Sequence, residues 1–195
     1  MTGGDAMPHP TPQPMPHPVT HPMAGISHPE RPVAAWLEPL RWLLRTGRAL
    51  KHRAILRGKL TLGSNVIFGS QAVLHPPDFM RLGDNVHFAS SFTTETNLDV
   101  GSDVLISTRV SCIGNDHAFD DPAETIITNG RAPASTIILE GDNLIGFGAT
   151  LVGNVRIGKG CIVGAGSVVV HDLPPFTVCA GVPAKPIRPR YPHHV

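Results

Sequence analysis

Asp116-His117 is the pair at which this sequence offers chemistry. It stands in Gly114-Asn115-Asp116-His117-Ala118-Phe119-Asp120-Asp121-Pro122, and residues 118 to about 132 then interrupt an otherwise regular repeat. An imidazole titrates at about pH 6.5, so it can take up a proton at neutral pH. A histidine placed at the root of a long excursion is therefore a candidate general base, a role that contributes on the order of 10² to 10⁴ in rate. A tolerated surface insertion would need no ionisable pair at its root, whereas a long departure from a regular scaffold is where function tends to sit. No Ser or Cys stands beside His117, so a covalent enzyme intermediate is not expected.

Other residues of chemical type are less organised. The histidines of the repeat region are His75, His87, His117 and His171, with no pair five residues apart. Three histidines converging on one zinc, as a carbonic anhydrase on such a scaffold requires, are thus not indicated, and no metal is expected. Cys112, Cys161 and Cys179 form an odd set without a paired motif, which argues against a disulfide framework and a zinc knuckle. Cys112 and Cys161 fall on positions expected to be core. A reducing cytoplasm is the simplest compartment.

The element that positions these residues is a repeat. Every sixth residue reads Leu62, Phe68, Leu74, then Leu82, Phe88, Thr94, Val100, Ile106, Cys112, and after the interruption Leu139, Ile145, Leu151, Ile157, Val163, Val169. Thirteen of these fifteen are bulky and apolar, so the pattern is a core and not chance spacing. Glycine often follows, and small or apolar residues such as Val66, Val86, Phe92, Leu98 and Val104 stand four places on. A period of six is neither helical nor simply alternating. It fits a short strand and a turn, with two inward side chains per unit. Such units cannot bury their apolar faces alone, and stacking them into a solenoid gives one continuous core. Three hexads per coil would make a triangular prism; neither that number nor the handedness follows from the period. A two-residue insertion at His75-Pro76-Pro77 reads as a widened turn.

Composition agrees. The 195 residues include 20 Gly and 20 Pro, with only 16% charged and 5% aromatic, which argues against a helical bundle. A net charge of +1 argues against nucleic acid as partner. No apolar run is long enough to span a membrane. Residues 1–32 hold nine prolines and four histidines (His9, His17, His21, His28), lack the apolar region of a signal peptide, and read as a disordered tail. Metal capture by those histidines is opposed by their irregular spacing. Residues 33–57 then place Trp36, Leu37, Leu40, Leu43 and Leu44 at helical spacing among Arg41, Arg45, Arg48, Lys51, Arg53 and Arg57. The expected role is a helix that covers one open end of the domain; an interfacial helix drawn to anionic lipid, and hence peripheral membrane association, is the alternative. The domain itself is expected over 58–188, with a tail at 189–195.

The segment from Leu62 to Lys185 resembles the hexapeptide-repeat acyltransferases. Its closing stretch carries the likeness: Val163-Gly164-Ala165-Gly166-Ser167-Val168, Pro174-Pro175-Phe176 and Ala180-Gly181-Val182-Pro183-Ala184-Lys185. Within that family it is most similar to the galactoside and maltose O-acetyltransferases and the polysaccharide O-acetyltransferases. The resemblance implies a left-handed parallel β-helix, acetyl-CoA as acyl donor, a sugar-like acceptor, and a homotrimer with each active site between two subunits. It implies His117 as the base, sixteen residues after Gly101 as in the relatives. By resemblance Glu95 matches an acidic, sugar-contacting position and His87 an asparagine of the acceptor site, with Asp116 beside the base. With an 18-residue coil, Asp99 would lie beneath His117, about 4.8 Å away, and could orient its ring. For the cofactor the resemblance implies Phe147 (its backbone N–H as oxyanion donor) and Ala165, Val170 and His171, and Lys185 and Arg188 near the nucleotide phosphates. Leu144 stands where many relatives have tryptophan. The implied activity is O-acetylation of a sugar or polysaccharide precursor. The alternatives are N-acetylation of a nucleotide-sugar or amino acid, a chloramphenicol-type acceptor, and a non-catalytic β-solenoid.

Overall fold

The computed structural model describes residue 36, residues 38–114 and residues 116–191. Residues 1–35, which include the Pro/His-rich segment 1–32 and the start of the expected 33–57 helix, together with Leu37, Asn115 and residues 192–195, lie outside them. Among the described residues helix α1 (Glu38–Leu56) comes first, and a parallel β-solenoid follows it. Each coil contributes one short strand to each of three sheets, which form the faces of a triangular prism. The first face stacks β1 (Leu60–Leu62), β4 (Met80–Leu82), β7 (Asn97–Val100), β10 (Thr136–Leu139) and β13 (Val155–Ile157). The second stacks β2 (Ile67–Phe68), β5 (Val86–Phe88), β8 (Val104–Ile106), β11 (Leu144–Ile145), β14 (Ile162–Val163) and β16 (Thr177–Gly181), with the antiparallel β17 (Ala184–Pro189) beyond it. The third stacks β3 (Val73–Leu74), β6 (Thr93–Thr94), β9 (Ser111–Ile113), β12 (Thr150–Val152) and β15 (Val168–Val169).

Of the sixfold series, every member but the half-buried Leu62 is buried, and so are most of the residues four places on. Each buried Val, Leu, Ile or Phe contributes about 1.5–3 kcal/mol, and sharing one core between coils is what makes strands of two or three residues stable. At the end nearest α1 the core is aromatic: the Phe68 and Phe88 rings stack 5.1 Å apart and Phe92 tilts against Phe88 at 4.6 Å. The corners between the first and second faces use residues that tolerate left-handed backbone: Asn65, Asn85, Asp103 and Asp142 have φ between 51° and 62°. Their side chains also bond upward, Asn65 Nδ2 to Asn85 Oδ1 at 2.9 Å and Asn85 Nδ2 to Asp103 Oδ1 at 2.8 Å.

Register locates the interruptions. Leu60 pairs with Met80, an offset of 20, because His75-Pro76-Pro77 widens one turn; the Lys59 ammonium bonds the carbonyls of Pro76 and Pro77 there. Met80 pairs with Leu98, an offset of 18, the plain coil. Leu98 pairs with Ile137, an offset of 39, so 21 residues are extra at the same corner. The excursion is therefore wider than residues 118–132 and begins immediately after Gly114.

Helix α1 does cover an open end, but not with the stripe expected. Ala49, His52 and Leu56 pack on the core, with the His52 ring 5.0 Å from that of Phe68, and Arg48 donates to the Phe68 carbonyl at 3.4 Å. Trp36, Leu40, Leu43 and Leu44 are 50–78% exposed. Leu40, Leu43 and Leu44 lie along the opposite side of the helix from Ala49, His52 and Leu56, and a helix laid across the end of a narrow prism has room to bury only one side.

Candidate active site

The corner between the third and first faces carries the excursion. Strand β9 ends at Ile113, and Gly114 turns the chain outward with φ 144°. A Cβ there would lie 2.6 Å from Gly153 N and 2.7 Å from Ser135 Oγ, so only glycine fits. Ser135 closes the loop by donating to the Gly114 carbonyl at 2.8 Å, and Asn97 N donates to the Ser135 carbonyl at 2.9 Å. Between these points the excursion has a two-stranded antiparallel stem. His117 faces Arg131, Ala118 N donates to Gly130 O at 3.0 Å, and Ala132 N donates to Asp116 O at 2.9 Å. The far turn is closed by Thr125 and Thr128, whose hydroxyls lie 2.9 Å apart.

His117 is thus held by backbone bonds on both sides, on a stem rooted in the solenoid. Its ring is partly buried, and Nδ1 is buried with no hydrogen-bond partner among the described residues. Asp116 is exposed, and its carboxylate accepts from the His117 amide at 2.8 Å, so it fixes the backbone of the histidine. Glu95 is exposed at the turn after β6, and its amide donates to the Cys112 carbonyl at 2.9 Å, which places Glu95 one layer below Ile113, at the root of the excursion. Asn129, which the sequence did not single out, lies across the stem near Ala118 and Gly130, with Nδ2 buried and no hydrogen-bond partner among the described residues. Its position depends on the stem register, which the repeat does not encode.

Asp99 is not beneath His117. Ile138 pairs directly over it, and its carboxylate is 3.4 Å from the Arg81 guanidinium. The 18-residue count fails because the chain has left the solenoid by residue 117, so the position one coil above Asp99 is reached 39 residues later. His87 is on β5, between Ile67 and Leu105, on the second face, opposite the corner that carries His117.

The residues expected at the cofactor divide between corners. Phe147 and Ala165 stack at the corner between the second and third faces: Gly166 N donates to Phe147 O at 2.8 Å. Lys185 stands one residue to the side of that column, paired with Ala180, whose Cβ lies above Gly164. Val170 and His171 follow β15 at the other end of the third face, on the corner of His117, and are exposed. Arg188 pairs with Val178, and its guanidinium donates to the carbonyls of Pro189 and Arg190. Arg190, passed over by the sequence reading, clamps the closing strand with bonds of 2.8 and 3.2 Å to the Asp142 carboxylate and of 3.0 Å to Gly160 O. Cys112 and Cys161 are buried core, as expected, and burial pushes both thiols up to about 12. Among the described residues no group of three His, Cys, Asp or Glu could hold a metal ion.

The chain is similar to known acyltransferases. It is 30% identical over 128 residues to the galactoside O-acetyltransferase of Escherichia coli, a match that covers 62% of each chain. Its fold matches a galactoside acetyltransferase solved with coenzyme A, at TM-score 0.63 and 23% identity over 80% of this chain and 82% of that one. It also matches an N-acyltransferase from Bacillus cereus solved with dTDP and coenzyme A, at TM-score 0.59 and 23% identity over 69% of this chain and 76% of that one. No family model matches the chain. The chain spans less than two-thirds of the length of the curated relatives it matches. The fold is the left-handed parallel β-helix of these neighbours. The chain is similar in sequence to galactoside O-acetyltransferase and in fold to hexapeptide-repeat acetyltransferases.

Proposed function

We propose that the chain is an acetyl-CoA-dependent acetyltransferase that moves an acetyl group to a hydroxyl of a sugar or polysaccharide precursor, with His117 as general base. The observation that carries this reading is His117 itself, held by a bonded stem at the root of the one large departure from the solenoid. The E. coli O-acetyltransferase relative supports the hydroxyl acceptor. In the reaction the acceptor oxygen attacks the thioester carbonyl while His117 Nε2 takes the hydroxyl proton. The tetrahedral intermediate then collapses, and the departing thiolate receives that proton. Fixed backbone N–H groups near Phe147 would stabilise the oxyanion, Glu95 would bind an acceptor hydroxyl, and Lys185 would attract the nucleotide phosphates.

A second subunit is part of the proposal. Phe147 lies one layer above Thr108, since Gly148 N bonds Thr108 O, and Thr108 is six residues before Gly114. Six extended residues reach about 20 Å, whereas reacting atoms must approach to roughly 3–3.5 Å. A homotrimer that sets the His117 corner of one protomer against the Phe147 corner of its partner would bring base and thioester together, with His87 brought in from a facing surface. Three free, buried cysteines support a reducing compartment such as the cytoplasm. An amine acceptor is the second reading, favoured by the likeness to the B. cereus N-acyltransferase.

Coenzyme A release from acetyl-CoA, measured across galactosides, glucosides, amino-sugars and chloramphenicol with His117→Ala alongside, tests the proposal. Acceptor-dependent release should fall by about 10² or more in the variant with no change in melting temperature. Release that survives the substitution refutes the base, and release with amines alone moves the reading to N-acetylation.

A further inference from the structure

We infer that the outward side of helix α1 lies on an anionic membrane surface. The inference does not rest on the transferase reading. One side of α1 is spent on the solenoid through Ala49, His52 and Leu56. The opposite side is apolar and exposed: Leu40 52%, Leu43 61%, Leu44 50%, Leu50 61% and Ile55 60%. At 3.6 residues per turn, the side chains from Leu50 round to Ile55 occupy about 140° of the circumference. Arg53 stands about 60° beyond the Leu50 edge of that arc, and Lys51 stands within it, long enough to carry its ammonium to the edge, while Arg48, near the Ile55 edge, is held on the Phe68 carbonyl.

Charge selects the occupant. The chain has 16 basic and 15 acidic residues; residues 38–57 hold six of the basic ones (Arg41, Arg45, Arg48, Lys51, Arg53, Arg57) and one acidic, Glu38. The remainder has ten basic and fourteen acidic, so the cationic field is concentrated on the element with the apolar arc. A second copy of the same surface would meet it with like charge. Lipid headgroups of negative charge would meet it with opposite charge, while the leucines enter the headgroup–acyl boundary. Among the described residues no helix is long and apolar enough to cross a membrane, so the helix would lie in the interfacial plane.

The test is co-sedimentation of the full chain with phosphatidylcholine vesicles, with and without about one-third phosphatidylserine. Wild type should partition to the anionic vesicles, and the Leu40→Ser/Leu43→Ser and Lys51→Gln/Arg53→Gln pairs should each weaken binding roughly tenfold. All four positions are exposed, so the melting temperature should be unchanged and loss of binding is not loss of fold. Wild type that stays in the supernatant with anionic vesicles overturns the inference. So does equal binding by wild type and both variants. Self-association that Leu40→Ser/Leu43→Ser abolishes, without vesicle binding, would assign the surface to a second copy and overturn it as well.

Discussion

Replacing Gly114 by alanine tests whether the solenoid corner dictates where His117, the proposed base, sits. Two costs add. The backbone has φ 144°, a conformation L residues rarely adopt, at about 1–3 kcal/mol. The new Cβ would lie 2.6 Å from Gly153 N, 2.7 Å from Gly153 Cα and 2.7 Å from Ser135 Oγ. Gly153 cannot retreat freely, because its amide bonds the Ile113 carbonyl at 2.8 Å, so overpacking adds about 1–3 kcal/mol. The expected loss is about 2–6 kcal/mol, a large share of the 5–15 typical of a domain. Gly148→Ala is the control: φ is 67° with nothing within 4 Å of the added Cβ. Gln71, Ser91 and Arg109 already adopt φ of 59–62° at corresponding turns. Its strain of about 1–2 kcal/mol is offset by about 0.4–1 of reduced unfolded-state freedom. Urea unfolding followed by circular dichroism gives both midpoints, and coenzyme A release should fall in the Gly114 variant, three residues from His117. Equal destabilisation by the two substitutions would refute the crowding argument.

Acid should loosen the helix from the solenoid. Burial, and secondarily the Lys51 ammonium, hold the His52 imidazole below its ordinary value of about 6.5. The unfolded chain then binds the extra proton first, so stability present above about pH 6.5 is lost as pH falls through the folded value; melting curves from pH 8 to 5 should show this slope in wild type and not in His52→Gln. The three thiols should resist Ellman's reagent at pH 8 in the folded protein and react on denaturation, since burial raises Cys112, Cys161 and Cys179 alike; rapid labelling of Cys161 in the folded state would show that its coil opens.

The solenoid was legible because its information is local and repeated. Leu82, Phe88, Val100 and Ile106 recur every six residues, and stacking demands that the same position be apolar in each coil, so one pattern announces the core many times over. His117, the proposed base, stood out for the complementary reason, as an ionisable residue at the one long break in that pattern. Asp99 was misplaced because an 18-residue count holds only while the chain remains in the solenoid, and the stem that carries His117 has its own register with Arg131.

The sequence by itself determined the class of fold, the position of the excursion and the inward half of nearly every strand, since burial of periodic apolar residues needs no knowledge of distant partners. Tertiary structure alone decided which side of α1 is buried, because Ala49, His52 and Leu56 win by packing on the end of the core, His52 against Phe68, and not by being the most apolar. It alone decided that Arg190 closes the last coil on Asp142, 48 residues away, and that Phe147 and His117 stand on different corners of the prism. Such contacts depend on which residues the coiling brings together, and a hexapeptide period is the same at every corner.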